Sequence, residues 1–455
     1  MQTIVRTLGA YASDLVYDEL PAAVVEKAKV CILDLLGIAA AGYARDNAQT
    51  ALRAALRLAA PGKASVWMTP HTMRAVDAVL PNSVASHCIL QDDWLPLSHS
   101  HIGAAVVPVA LAVAEEEACS GRDVITAVVA AYDVADRAGH LSVPAFDRGF
   151  RPSALCAYFG ASTAAARLMR LTREETVNAI ACSGSVSGGV LQPWRDGSME
   201  WSFQEAFGAR ARITAAVLAA EGIVGSPNLF EGSHGLNRSY SGTNENERGA
   251  LDGLGTHFHI SDTCFKRFPT GGANQGSASV AYRLRHRHGL DYRRIVRVEV
   301  EIPRNGTHER MNYAGIPYAG PYHTVDQCFI SKPFAIAVIL KTGDMTLARI
   351  EAERSDGELL ELAAKVSLRE AEDLNGWNLR MRIALDDGSV IEGDGADIDQ
   401  SQLRLSYATA SEKFLQVTHD VLDGDAAREL ISHISALDKL RTVEPLSHLM
   451  SRRRA

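Results

Sequence analysis

A chain of 455 residues is too long for one small core, so two or more domains are expected. With 47% hydrophobic and 22% charged residues it has the composition of a soluble globular protein; the net charge of -8, with no basic run beyond Arg452-Arg453-Arg454, argues against a nucleic-acid partner. No apolar run reaches the roughly 18–20 residues that span a bilayer, no apolar signal core follows Met1, and seven scattered cysteines without a CxxC pair suggest a reducing, cytoplasmic setting.

In chain order, Ala-rich segments with helical periodicity come first: Ala23–Tyr43, Ala104–Ala118, Asp123–Ala138, Ala154–Leu171, Arg173–Val190 and Phe203–Gly222. Thr172-x-x-Glu175 is a capping box for the fifth. Small residues recur on these faces, so the helices are expected to approach closely in a large buried bundle. After Pro269 the character changes. Ile295–Ile302 alternates, with Val296, Val298, Val300 and Ile302 expected on the buried face. Leu379, Met381, Ile383 and Leu385 alternate likewise, and Asp387-Gly388 makes a hairpin turn into Val390-Ile391. Lys332–Lys341 and Ala348–Ala352 look helical, and the tail from Ser411 to Met450 is helical again. The fold class is therefore mainly α with a smaller α+β domain. Residues 1–265, completed by 404–455, form the helical domain, and 266–403 the second one.

Residues 87–103 carry the densest chemistry, with His87, Asp92, Asp93, His99 and His101 ahead of an apolar helix. Buried charge of this density is costly unless paired or used, and imidazole beside carboxylate is the material of acid–base catalysis. His101 is the expected acid or base, with Asp92 or Asp93 orienting it. His99, His101 and Asp92 as metal ligands are the weaker reading, because no further ligand follows at a diagnostic spacing. Lys266-Arg267 precedes Gly271-Gly272 and a helical run, which suits an anion at a helix N-terminus. Arg148 and Arg151 form a second cationic cluster, and Arg forks suit carboxylates. Trp194 and Trp201 lie in a charged loop, where they either line a pocket or plug a gap. Tyr313, Tyr318 and Tyr322, spaced by Gly and Pro, read as a lid. The chain has no GxGxxG after a strand, no Walker motif and no GxSxG elbow, so no nucleotide cofactor is expected.

Several short segments occur in a telling order: Asp34-Leu35-Leu36-Gly37, Asn82 with His87, Asp92-Asp93, His101-Ile102-Gly103, Gly149-Phe150-Arg151-Pro152-Ser153, Asp196-Gly197-Ser198-Met199, Lys266-Arg267-Phe268-Pro269, Asp326 with Ser331, and Lys413-Phe414. In that order they resemble the MmgE/PrpD family of 2-methylcitrate dehydratases, cis-aconitate decarboxylases and iminodisuccinate epimerases. The resemblance implies a large helical domain built from both chain ends, a smaller α+β lid domain, a site between them, a homodimer and no cofactor. It also places His101 and Lys266 at the acid–base and junction-lysine positions and Asp92-Asp93 in the acidic loop. The chain departs from the family pattern at Leu90, Trp94, Arg151, Trp201, Gly271 and Gln275.

The expectation is a cofactor-independent lyase or isomerase that abstracts a proton next to a carboxylate or carbonyl of a small organic acid. His101, Lys266, Asp93 and Asp92 are the expected catalytic residues; Arg151, His99, Trp94, Trp201, Gln275 and Tyr318 are expected to bind substrate. The departures suggest a non-standard substrate, less anionic or bulkier than a citrate-like acid. The rivals are 2-methylcitrate dehydration proper and a catalytically silent relative that binds a small acid.

Overall fold

In the computed structural model, residues 2–247, 249–303, 320–374, 378–398 and 403–454 are described. The six periodic segments become helices α1 (Ala22–Gly42), α3 (Gly103–Glu116), α4 (Gly121–Ser142), α5 (Pro152–Leu168), α6 (Arg173–Ser183) and α7 (Gln204–Ala220), and a helix that the periodic segments did not include, α2 (Ala75–His87), precedes α3. Thr172 caps α6 as its sequence suggests, through a reciprocal bond with Glu175. That helix is shorter than its periodicity implied: it ends at Ser183 and one 3₁₀ turn, Gly184–Val186, follows. The run Gly184–Gly189 offers too little side chain to hold another helical turn.

Small residues set the spacing of the bundle. A Cβ on Gly160 of α5 would lie 2.5 Å from the Ala131 carbonyl of α4, so the two helices meet backbone to backbone only because glycine is there. Near the C-terminal end, helix α10 (Tyr407–Thr418) packs on α1, where Phe414 stands over Gly37. Both ends of the chain thus share one core.

The second unit is a four-stranded sheet with helices against it, among them α8 (Gln275–His288) and α9 (Lys332–Thr342). Its strands are β1 (Ile295–Pro303), β2 (Val366–Ala371), β3 (Arg380–Leu385) and β4 (Val390–Asp394), in the order β2-β1-β3-β4. β1 pairs parallel with β2 and antiparallel with β3. The β3–β4 turn lies at Asp387-Gly388, with Gly388 at φ 82°. Val298 and Val300 are buried as the alternation implied, but Val296 is 57% exposed. An irregularity between Ile295 and Arg297 shifts the register there and turns Val296 outward. All seven cysteines are free. Among the described residues, no helix is long and apolar enough to cross a membrane.

Candidate active site

The site is assembled by the turn after α2. His87 is the last residue of that helix. Leu90 then adopts φ 51°, an uncommon conformation for a non-glycine residue, and folds the chain back so that Asp92 faces His87. Trp94 and Cys264 exchange both backbone hydrogen bonds at 2.9 Å, which draws the junction segment alongside. Lys266, two residues on, is thereby aimed at Asp92.

The resulting cluster is buried. His87 Nδ1 lies 2.7 Å from Asp92 Oδ2, and Lys266 Nζ donates to Asp92 Oδ1 at 3.0 Å. Arg151 Nη2 lies 2.6 Å from His87 Nε2. A guanidinium cannot accept, so Nε2 is the acceptor and Nδ1–H donates to Asp92; this geometry fixes the His87 tautomer. Arg151 in turn makes an ion pair with Glu205, Nη2 to Oε1 at 3.1 Å and Nη1 to Oε2 at 3.1 Å. His101 Nδ1 is 2.9 Å from the Asp93 carbonyl, 3.2 Å from Lys266 Nζ and 3.5 Å from Asp92 Oδ2.

The two adjacent carboxylates live in opposite environments. Burial pushes Asp92 up, but the His87 and Lys266 donors outweigh it and hold the group far below the usual carboxylate range. Burial pushes Asp93 up to about 7, against the opposing donation from Tyr132 Oη, at 2.6 Å. Its other oxygen accepts the Gly103 N–H at 3.2 Å, so Asp93 braces the start of α3. A Cβ on Gly103 would sit 2.5 Å from that oxygen, which is why the position requires glycine. Burial and the Lys266 ammonium together lower His101 well below the ordinary imidazole value, so it is neutral at pH 7. Burial also lowers Lys266, with Asp92 opposing it.

In front of this cluster lies a narrow cleft of about 40 Å³. The helical unit supplies His99, His101, Arg151, Ser153 and Trp194, and the second unit supplies Gly271–Asn274 and Ile330. His99 reaches the cleft from a tight loop, at φ 53°, closed by paired backbone bonds between Leu95 and Ser100. Ser153 Oγ accepts the His101 backbone N–H at 3.0 Å.

The expected site residues therefore divide into groups. His101, His99 and Arg151 line the cleft. Asp92 and Lys266 stand behind His101, while Asp93 buttresses α3. Trp201, buried, stacks edge-on against His87 and Trp194 and donates through Nε1 to Asp326 at 2.8 Å; it seals the cluster. Trp94 packs beneath Gly272. Gln275 lies behind the junction turn instead of on the cleft: its Oε1 accepts from the Arg267 and Phe268 N–H groups and its Nε2 donates to the Phe268 and Thr270 carbonyls. Tyr313 and Tyr318 lie outside the described residues.

Sequence reasoning missed Glu205 and left His87 without a role. Glu205 carried a signal, a lone carboxylate opening an Ala-rich helix two residues after Phe203. The metal reading also changes composition. His87, Asp92 and His101, with ligand atoms within 4.8 Å of one another, replace the expected trio containing His99. Lys266 already occupies the cationic position against Asp92, so a divalent ion there would have to displace a buried ammonium.

Fold and site together define a two-unit, mainly helical protein with a buried cluster of ionisable side chains at the back of a cleft. The chain belongs to the MmgE/PrpD family: residues 6–249 match the MmgE/PrpD N-terminal domain and residues 268–439 the MmgE/PrpD C-terminal domain. It is 24% identical over 469 residues to a cis-aconitate decarboxylase of Aspergillus terreus (strain NIH 2624 / FGSC A1156), covering 97% of this chain and 94% of that protein. A second Aspergillus terreus cis-aconitate decarboxylase is 24% identical over 474 residues, with the same coverage. The cis-aconitate decarboxylase-like protein oryM of Aspergillus oryzae (strain ATCC 42149 / RIB 40) is 24% identical over 234 residues, half of this chain.

Proposed function

We propose that this protein is a cofactor-independent lyase or isomerase that moves a proton at the carbon next to a carboxylate of a small organic acid. The observation that carries this reading is the setting of His101. The ring lines the cleft while Nδ1 is engaged from behind by a carbonyl and an ammonium. The two partners favour opposite tautomers. The Asp93 carbonyl accepts from Nδ1–H and leaves a lone pair on Nε2, which makes a base. The Lys266 ammonium donates to Nδ1 and leaves a proton on Nε2, which makes an acid.

A neutral ring poised between these forms can take a proton from the α-carbon and return one to it. The electron pair left on that carbon delocalises into the substrate carboxyl, which the edge of Arg151 on the cleft wall can face. The family relationship supports a dehydratase or decarboxylase type, in which the same pair of electrons expels hydroxide or arises as CO₂ leaves.

The test is proton NMR of the protein in D₂O with a panel of hydroxy and unsaturated carboxylic acids. Loss of an α-proton signal, or a new vinyl signal, is expected with the native chain. His101→Gln should cut the rate by about 10²–10⁴. Native-like exchange in a folded His101→Gln protein would remove this ring from the mechanism. Thermal shifts with several acids but exchange with none would favour a silent acid-binding protein.

A further inference from the structure

We infer that the cleft takes an acid bearing a single carboxylate on an apolar body, an inference that rests on the proton-transfer reading above. It follows from how the charges around His101 are matched. The two cations of the cluster already have buried anionic partners: Arg151 is held by both oxygens of Glu205, and Lys266 by Asp92. Glu205 and Asp92 have no exposed surface, so neither can be drawn away into water when a ligand arrives. His101 is neutral.

A matched pair attracts an incoming anion far less than a lone cation does, because its own carboxylate repels the newcomer at nearly the same distance. Each additional carboxylate entering the cleft also loses its water shell beside Glu205 or Asp92. Among the described residues, the rest of the lining is mostly apolar, through Phe146, Pro152, Leu191, Trp194 and Ile330, with His99, Ser153 and Asn274 as its polar side chains. These five surfaces suit a hydrocarbon or aromatic flank. One carboxylate has a reasonable seat, against the Gly271–Ala273 turn that opens α8 and beside the edge of Arg151.

Glu205 becomes a specificity-determining residue on this argument, acting through Arg151. Replacing Arg151's partner by a neutral amide would return one unmatched cation to the cleft wall.

The test compares three probes by calorimetric titration: 3-phenylpropanoate, benzylsuccinate and propane-1,2,3-tricarboxylate. The native protein should bind the monocarboxylate at least about tenfold more tightly than benzylsuccinate, with the tricarboxylate weakest. Glu205→Gln should narrow or reverse the gap between the first two by about tenfold. The comparison on the native protein stands even if that variant does not fold. Equal or tighter binding of the tricarboxylate by the native protein overturns the inference, as does failure of all three probes to bind. Deuterium uptake, followed on the panel of acids, separates the two claims. Tricarboxylate preference with uptake overturns only the charge argument. Monocarboxylate preference without uptake on any acid supports that argument and overturns the proton-transfer reading.

Discussion

The two walls of the cleft handle buried charge in opposite ways. On the helical wall, Asp92 meets Lys266 and His87, and Arg151 meets Glu205, all at 3.1 Å or less. On the wall from the second unit, Lys332 is buried at the start of α9, and its ammonium donates to the Ala273 carbonyl at 2.6 Å. Burial lowers that lysine to about 7, and among the described residues no acidic side chain offsets the shift. The contrast teaches what each wall is for. Matched charges fix the protonation states around His101, whereas the Lys332 contact fixes the shape of the Gly271–Asn274 turn.

The largest effect should come from breaking the matched wall. Lys266→Met leaves Asp92 ionised, buried and without its ammonium. A buried pair that loses one partner typically costs about 3–5 kcal/mol. The variant should also lose about 10²–10³ in rate, since the charge behind His101 is gone. Urea denaturation and deuterium uptake together check both numbers. Native stability in this variant would mean that the matched wall is not what holds Asp92.

The same operation on the other wall should have the opposite sign. In the unfolded chain a lysine titrates near 10.4; in the fold Lys332 titrates at about 7. Between these values the unfolded state carries a proton that the folded state lacks, so stability rises with pH across that window. Below pH 7 the full cost of burying the ammonium is present. Lys332→Met should therefore stabilise the protein by about 4 kcal/mol at pH 7, less whatever the Ala273 carbonyl loses, and the gain should shrink towards pH 10. Melting temperatures of both proteins from pH 6 to 10 give the answer. A gain independent of pH would point to simple packing instead of relief of a buried charge.

The contrast also explains what could be read from the sequence. Helix periodicity was legible because α3, α4 and α5 are buried through long Ala- and Val-rich faces, and the capping box at Thr172 is a local device. The His87–Gly103 segment announced itself because unpaired charge beside a core helix is costly. The division of labour within it was not legible. Asp92 and Asp93 are neighbours in sequence, yet one turns towards Lys266 and the other towards Tyr132, residues 174 and 39 positions away. Glu205 and Gln275 likewise owe their roles to tertiary partners. The outward turn of Val296 depends on a register shift against β3, which alternation along one strand does not encode.

Asp93 gives the finest test, because it belongs to the helical wall but is hydrogen-bonded by the neutral Tyr132 hydroxyl and Gly103 N–H, and so should behave more like Lys332 than like Asp92. Its carboxyl titrates at about 7 in the fold, against about 3.9 in an unfolded chain. Between those values the folded state retains a proton that the unfolded chain has lost. The associated stabilisation is full below about pH 4 and disappears as pH rises through 7. Asn is nearly isosteric, keeps an acceptor for the Gly103 N–H, and presents an amide donor to Tyr132 Oη, but it does not titrate. Asp93→Asn should therefore match the native protein near pH 4 and exceed it by about 4 kcal/mol above pH 7, with a flatter profile between. Urea midpoints at pH 4.5, 6 and 7.5 measure this directly. Parallel profiles would show that Asp93 is ionised throughout, and the likeness between Asp93 and Lys332 would then fail.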